Sequence, residues 1–404
     1  MTDVSLARST VAWPVRPFQR PARLLFACLR GILRGSLEVH FPDGEVAHYS
    51  GAEAGPRAVF QIVSMRFAKR LSDGDIGFAE GFMAGEWNSP DLVALLDLIL
   101  ANRELIERFR AKPLMRLAQR LQHWSNRNSR SGSRRNISAH YDLGNAFYER
   151  WLDKTMTYSS GVDVRHDLAA AQTRKYERLA RSIDLRREHH VLEIGCGWGG
   201  FAAWAARNIG CRITAITISR EQFDYAQERI ERAGLNDLVT IELCDYRDIS
   251  GQYDRIVSIE MFEAVGEAYW ASYVRTLRNL LVPGGEAALQ IITIREDLFV
   301  QYRKEMDFIR AYVFPGGMLP TRHALNALGA GAGMRMLADE GFGADYARTC
   351  AIWRANFERA WSEIQKLGFD ERFRRLWNYY LAYCEAGFRA GTIDVRQIAW
   401  RREG

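Results

Sequence analysis

The chain is poor in the features that would place it in several large classes. It has six cysteines, at positions 28, 196, 211, 244, 350 and 384, and no two stand in CxxC spacing. Neither a zinc site nor a redox pair is therefore expected, and no metal. Scattered thiols in a chain without a leader point to a reducing cytoplasm. Long apolar runs are also missing. A membrane span needs about 20 unbroken apolar residues, whereas Leu24–Leu33 is cut by Arg30 and Leu92–Leu100 contains Asp97. Residues 1–20 lack the apolar stretch of a signal peptide. Neither sign of charge dominates: 55 Lys and Arg against 49 Asp and Glu leave a net charge of +6. That lean alone does not argue for nucleic acid. At 48% hydrophobic and 26% charged the chain is not disordered as a whole. Its 404 residues fit two or three domains at about 100–200 residues each.

What is present organises the chain in two parts. Residues 1–20 read as a basic, flexible start. Leu37–Phe41 alternates apolar and polar, and Pro42–Asp43–Gly44 follows as a turn, which predicts a hairpin. Phe78–Leu100 is helical in period, punctuated at Asn88–Ser89–Pro90. Between Arg108 and Arg135 there are nine Lys or Arg and no acid, ending in a Ser/Asn/Arg-rich tract. A linker is placed at 126–136, between a smaller N-terminal α+β domain (1–125) and a larger domain (137–404). The run reads either as a solvated hinge or as a segment drawn to an anionic lipid surface. No nucleic-acid-binding motif accompanies it. From about residue 140 strands and helices alternate: strands at 189–195, 212–218, 239–243, 255–259 and 287–294, helices at 201–208, 221–233 and 270–281. This series predicts an α/β fold with a mostly parallel, doubly wound, Rossmann-like sheet. The last 60 residues read as helical, with aromatics from Trp353 to Trp400 at helical spacing.

The strongest motif is Val191–Gly200, VLEIGCGWGG. Glycines at a strand-to-helix turn let backbone approach a ligand and open a helix N-terminus toward it. Gly195, Gly197 and Gly200 also satisfy GxGxxG, a dinucleotide signal. A dinucleotide fold, however, wants an acid about 20 residues later on the second strand. Here that strand ends Thr217–Ile218–Ser219, and the acid precedes the turn, at Glu193. An acid on the strand followed by GxGxGG resembles motif I of the S-adenosylmethionine-dependent methyltransferases.

Further motifs narrow the resemblance. They are Tyr141–Tyr148 (YDLGNAFY), Met156–Ser160 (MTYSS), Ile216–Gln222, Asp245–Asp248, Ser258–Gly266 (SIEMFEAVG) and Phe308–Pro315, with Gly74–Trp87 upstream. In this order they resemble the cyclopropane-fatty-acyl-phospholipid synthases and the mycolic acid cyclopropane synthases over nearly the whole chain. The resemblance implies one-carbon transfer from S-adenosylmethionine to the cis double bond of unsaturated acyl chains in membrane phospholipid. Attack on the methyl leaves a carbocation. Loss of a proton from the added methyl then closes a cyclopropane, and water must be kept out. Loss of a chain proton instead leaves a methyl- or methylene-branched chain.

The resemblance assigns the cofactor to Tyr158, Ser159, Glu193, Gly195, Gly197, Gly199, Thr217, Gln222, Asp245 and Tyr246. It assigns the base to a bicarbonate ion held by Ser160, Glu263, Ile294 and Tyr312. Two departures stand out. Ser160 replaces a cysteine, which keeps the contact if a backbone N–H makes it. Ile292 stands where bacterial members have histidine, so a side-chain donor is lost; Ala264 also replaces a common histidine. These departures keep the branched product open as the alternative to cyclopropane. Glu263 and Glu260 both fall near the carboxyl edge of the sheet, where open α/β sheets bind ligands. A non-catalytic lipid- or cofactor-binding relative and a small-molecule methyltransferase are the remaining readings. The resemblance makes 1–125 a lipid- or membrane-associated domain and 137–404 the methyltransferase catalytic domain, with C-terminal helices capping the acyl pocket. Expected partners are the acyl chains and an anionic surface at the inner face of the membrane. A homodimer stays open.

Overall fold

The computed structural model describes residues 29–106 and 143–404. The basic start, the basic run 108–135 and the linker 126–136 lie outside them. The predicted hairpin forms from β1 (Arg34–His40) and β2 (Val46–Ser50), antiparallel from Ser36↔Ser50 to His40↔Val46. Leu37 and Val39 bury on one face of β1 while Glu38 does not, which is the period-2 pattern of a half-covered strand. β3 (Glu53–Ile62) pairs parallel to β1, and the short β4 (Trp87–Asn88) closes a sheet of order β2-β1-β3-β4.

The helical period of Phe78–Leu100 resolves into two helices, α1 (Gly74–Met83) and α2 (Leu92–Ala101), with β4 between them. Asp91 caps α2 by accepting from the Ala94 N–H. Trp87 of β4 is fully buried, stacked on Phe78 with ring centroids 4.3 Å apart, and its indole N–H donates to the Phe78 carbonyl at 2.8 Å.

The second sheet has seven strands, and α3 (Leu168–Ser182) precedes it. In chain order they are β5 (His190–Ile194), β6 (Arg212–Thr217), β7 (Val239–Leu243), β8 (Tyr253–Ile259), β9 (Leu281–Ile294), β10 (Met334–Gly341) and β11 (Ile393–Arg402). Their order across the sheet is β10-β11-β9-β8-β5-β6-β7. β5 to β9 run parallel, and β11 is antiparallel to both neighbours. Helices α4 (Gly200–Asn208), α5 (Arg220–Arg232) and α6 (Trp270–Leu280) make the crossovers. With both faces covered, the central strands are near-continuous apolar runs, which is why they are legible in sequence. Strand order reverses at β5, with β6 on one side and β8 on the other. The crevice above the carboxyl ends of these strands is where such sheets bind ligands.

One expectation is corrected. The last 60 residues are not all helical. After α7 (Phe308–Tyr312), α8 (Arg322–Gly331) and β10 come α9 (Gly343–Arg359) and α10 (Glu371–Arg389), and then β11 inserts between β9 and β10. Trp400 is a strand residue, fully buried. The other aromatics, such as Trp353, Phe357 and Trp377, do lie on helices. They share one apolar cluster with Phe147, Trp151 and the N-terminal unit. That unit is tied down from α10 by Arg375, which donates to the carbonyls of Phe82 (2.6 Å) and Trp87 (3.1 Å).

Candidate active site

The turn from β5 into α4 is built on three left-handed residues, Gly195, Gly197 and Gly199, at φ +80°, +53° and +76°. A Cβ at Gly195 would lie 2.8 Å from the Met261 side chain and one at Gly199 3.1 Å from Ala226, whereas a Cβ at Gly197 meets nothing within 4 Å. Packing against Met261 thus leaves no room for a side chain at Gly195, and Gly199 is tight against Ala226. Gly197 faces the open space of a cavity of about 780 Å³. Gly199 is the N-cap of α4 and does not itself line the cavity.

Glu193, on β5 below this turn, lines the cavity and is 2% exposed. Burial pushes its carboxyl up to about 8; the Ala202 backbone N–H and Lys175 pull the other way. Its Oε2 is buried without a partner, an acceptor available to the hydroxyls or ammonium of a nucleoside-bearing ligand. That orphan acceptor and the open side of Gly197 fit S-adenosylmethionine.

The other cofactor positions fall around the same cavity. Tyr158, Ser159, Thr217, Gln222, Asp245 and Tyr246 all line it. Several are already knitted to the protein. Thr217 Oγ1 donates to Gln222 Oε1 at 2.9 Å and accepts from the Ser219 N–H, and Ser219 caps α5. Asp245 holds Arg247 at 2.6 Å. The Tyr158 and Tyr380 hydroxyls share a hydrogen bond of 2.7 Å. Ser159 Oγ accepts at 2.6 Å from Lys175, a fully buried ammonium that also donates to Gln172 Oε1. Burial pushes Lys175 down to about 7.

The positions assigned to the base separate. Glu263 and Ile294 line the cavity; Ser160 and Tyr312 do not. Glu263 Oε1 accepts from the Ile292 N–H at 2.5 Å, and its Oε2 is buried without a partner. Burial, then the neighbouring Glu260, pushes its carboxyl up to about 8, so it is protonated near neutrality. The Ile294 N–H donates to the Pro320 carbonyl. The Tyr312 hydroxyl turns away and donates to Glu80 of α1.

The Ser160 N–H, the backbone donor available to a bound anion, donates at 2.9 Å to Glu260 Oε1 instead. Glu260 is held from three sides. Gln290 Nε2 also donates to Oε1 (2.7 Å), and the Tyr346 hydroxyl donates to Oε2 (2.5 Å). It lines the cavity and sits at φ +49°, a left-handed conformation rare outside glycine. Such strain persists where the surroundings over-determine it. Burial is the largest influence and holds its carboxyl above the ordinary carboxylate range, although Tyr346, Gln290, Lys175 and the Ser160 amide each pull it down. Glu260 therefore accepts from three other residues, and Glu263 from one, the Ile292 amide.

Sequence reasoning placed Glu260 near the edge without giving it this role. It missed Lys175, Tyr346 and Gln397, and it gave Gln290 no role. The available signal was polar residues inside apolar strands: Gln290 interrupts a run in β9, and Gln397 one in β11.

The parallel sheet, its strand order and the glycine turn at the switch point define the class of S-adenosylmethionine-dependent methyltransferases. The comparisons narrow the class. The family model for mycolic acid cyclopropane synthetase matches residues 128–398, and the chain belongs to this family. It is 41% identical over 384 residues to the tuberculostearic acid methyltransferase UfaA1 of Mycobacterium tuberculosis, covering 91% of this chain and 88% of that one. It is 36% identical over 343 residues to the cyclopropane-fatty-acyl-phospholipid synthase of Escherichia coli, covering 83% and 85%. Among solved structures, the mycolic acid cyclopropane synthase CmaA1 complexed with SAH and CTAB matches with a TM-score of 0.63 and 26% identity, over 67% of this chain and 98% of that one.

Proposed function

We propose that the protein methylates the double bond of unsaturated acyl chains in phospholipid and leaves a methyl- or methylene-branched chain. The observation that carries this reading is the carboxylate of Glu260 on the Ser160 amide, a built-in anion where the resemblance expects bicarbonate. When bound, S-adenosylmethionine supplies an electrophilic methyl group. The alkene of the acyl chain takes that methyl and becomes a carbocation. The cavity that holds the chain is walled by aromatics, Tyr158, Tyr346, Tyr380 and Phe388 among them. Their ring faces stabilise a cation, and an apolar wall keeps out the water that would trap it. Glu260, its carboxylate held by three donors, takes the proton that the cation must lose, and an alkene is retained. UfaA1, similar over 91% of this chain, is named a methyltransferase, which supports the same exit.

Cyclopropanation is the second reading. Glu263 on the Ile292 amide, at the position matching the cyclopropane synthases, favours it, as does the similarity to the Escherichia coli synthase. The base is testable directly. Turnover in CO2-free buffer is expected to equal turnover after bicarbonate is added back. A rate that rises with bicarbonate would remove Glu260 as the base. As the site of reaction we infer an anionic membrane surface, supported by the basic run 108–135. The linker and the two-domain division are part of the same reading.

A further inference from the structure

Glu260 is the end of a buried line of side chains that begins near the surface. Arg178 of α3 donates from Nε to Gln397 Oε1 at 2.6 Å. Gln397 donates from Nε2 to Gln290 Oε1 at 3.0 Å and to the Lys175 carbonyl at 3.3 Å. Gln290 donates from Nε2 to Glu260 Oε1 at 2.7 Å and to the Ser160 carbonyl at 3.3 Å. The two glutamines are register partners across β9 and β11, and they are 0% and 4% exposed. Burying an amide without partners costs about 1–3 kcal/mol on mutational evidence, so polar residues facing each other here call for a reason.

Chemistry fixes the direction of the line. Arginine donates only, so Gln397 must turn its oxygen to Arg178 and its nitrogen inward. Gln290 must then offer its oxygen to Gln397, which leaves its nitrogen for Glu260. The orientation of both amides follows from one guanidinium rather than from a choice between indistinguishable atoms. Arg178 is itself held, over the ring of Phe342 at 4.2 Å and 3.7 Å from Glu340.

We propose that Gln290 and Gln397, aligned by Arg178, are positioning residues that hold Glu260 in place and keep a donor aimed at its carboxylate. The inference rests on the reading of Glu260 as the base. It goes beyond that reading by assigning the control of Glu260 to residues that never touch the substrate. The other groups bearing on Glu260 are Lys175 from α3, Tyr346 and Cys350 from α9, Cys384 from α10, and Glu263 on its own segment. Removing an inward donor leaves Lys175 and Tyr346 in place, so Glu260 is loosened and not stripped.

The test compares Gln397→Met with the parent. Methionine fills the space but cannot donate, so Gln290 is free to present its oxygen to Glu260. Losing a donor raises a carboxylate pKa. The acid limb of the methyl-transfer rate is expected to move up by about one pH unit, with KM for lipid held within about two-fold. A second readout needs neither cofactor nor lipid. The carboxylate infrared band that disappears in Glu260→Gln is expected to titrate at higher pH in Gln397→Met than in the parent. Arg178→Met, near the surface, is expected to give the same shift in smaller measure and serves if Gln397→Met does not fold. A folded variant whose rate profile and infrared midpoint both match the parent would overturn the proposal. If Glu260→Gln keeps full turnover, the base reading fails, and the infrared midpoint still decides whether the line of glutamines sets the charge of Glu260.

Discussion

Two carboxyls 100 and 103 residues past Ser160 line the same cavity, and they are not equivalent. Glu263 has one donor and is pushed up to about 8; Glu260 has three. Replacing Glu260 by Gln is therefore expected to lower kcat by about 100-fold or more, the range for a lost general base, with S-adenosylmethionine affinity kept. Glu263→Gln is expected to cost far less, because glutamine resembles the protonated acid already there. Steady-state kinetics beside cofactor titration calorimetry separate the two, and equal losses would reject the division of roles. Stability gives an independent check. A carboxyl raised on folding binds its proton more tightly in the native state, so it opposes folding increasingly as pH climbs from its ordinary value toward the raised one. For Glu263 that window runs from 4.5 to about 8. Thermal unfolding of Glu263→Gln is expected to improve relative to the parent as pH rises through this window. A difference that stays flat would show that Glu263 is not held protonated.

The turn between β5 and α4 makes a separable prediction. Alanine at Gly197 keeps a left-handed φ of +53° but meets no atom within 4 Å. It should cost about 1 kcal/mol of stability and weaken cofactor binding more, because its methyl projects into the cavity. Alanine at Gly195 would press on Met261 at 2.8 Å and should lower the melting temperature as well as the affinity. Melting curves beside cofactor titration test this, and equal behaviour of the two variants would contradict the placement of Gly197 against the ligand. This turn and the parallel strands were legible in sequence because each is local: a glycine run, or an apolar run between turn signals. β11 was not. Its buried Gln397 and the arginines 396, 401 and 402 break the apolar pattern, and the preceding aromatics keep a helical period up to α10. The Glu260 cluster was hidden for a different reason. It is assembled from α3, the end of β8, β9, α9 and β11, and only the sheet order brings these together. Tyr312 shows the converse. Its motif was readable, yet its hydroxyl is tied to Glu80 of α1, a contact 232 residues away in sequence.

At the scale of the whole molecule, the cavity crosses from one unit to the other. It starts at the β5–α4 turn, passes Glu260 and Glu263, and continues between Leu37, Phe60, Leu95 and Leu98 of the N-terminal unit. Its wall is mostly apolar, as the proposed acyl substrate requires, and the two carboxyls and the glycine turn line the same cavity. No helix among the described residues is long and apolar enough to cross a membrane. α10 braces the arrangement, with Arg375 on the carbonyls of β4 and α1 and with Arg389 on Asp97 of α2 at 3.1 Å. On the function proposed above, this cavity methylates an alkene inside a lipid chain, and a carboxylate of the protein directs the exit. The most direct test is fragmentation mass spectrometry of lipids recovered after the protein is incubated with S-adenosylmethionine and vesicles of monounsaturated phospholipid. A gain of one CH2 with the double bond retained is the predicted result. A gain of one CH2 with the double bond replaced by a ring, or no gain on any unsaturated lipid, would contradict it.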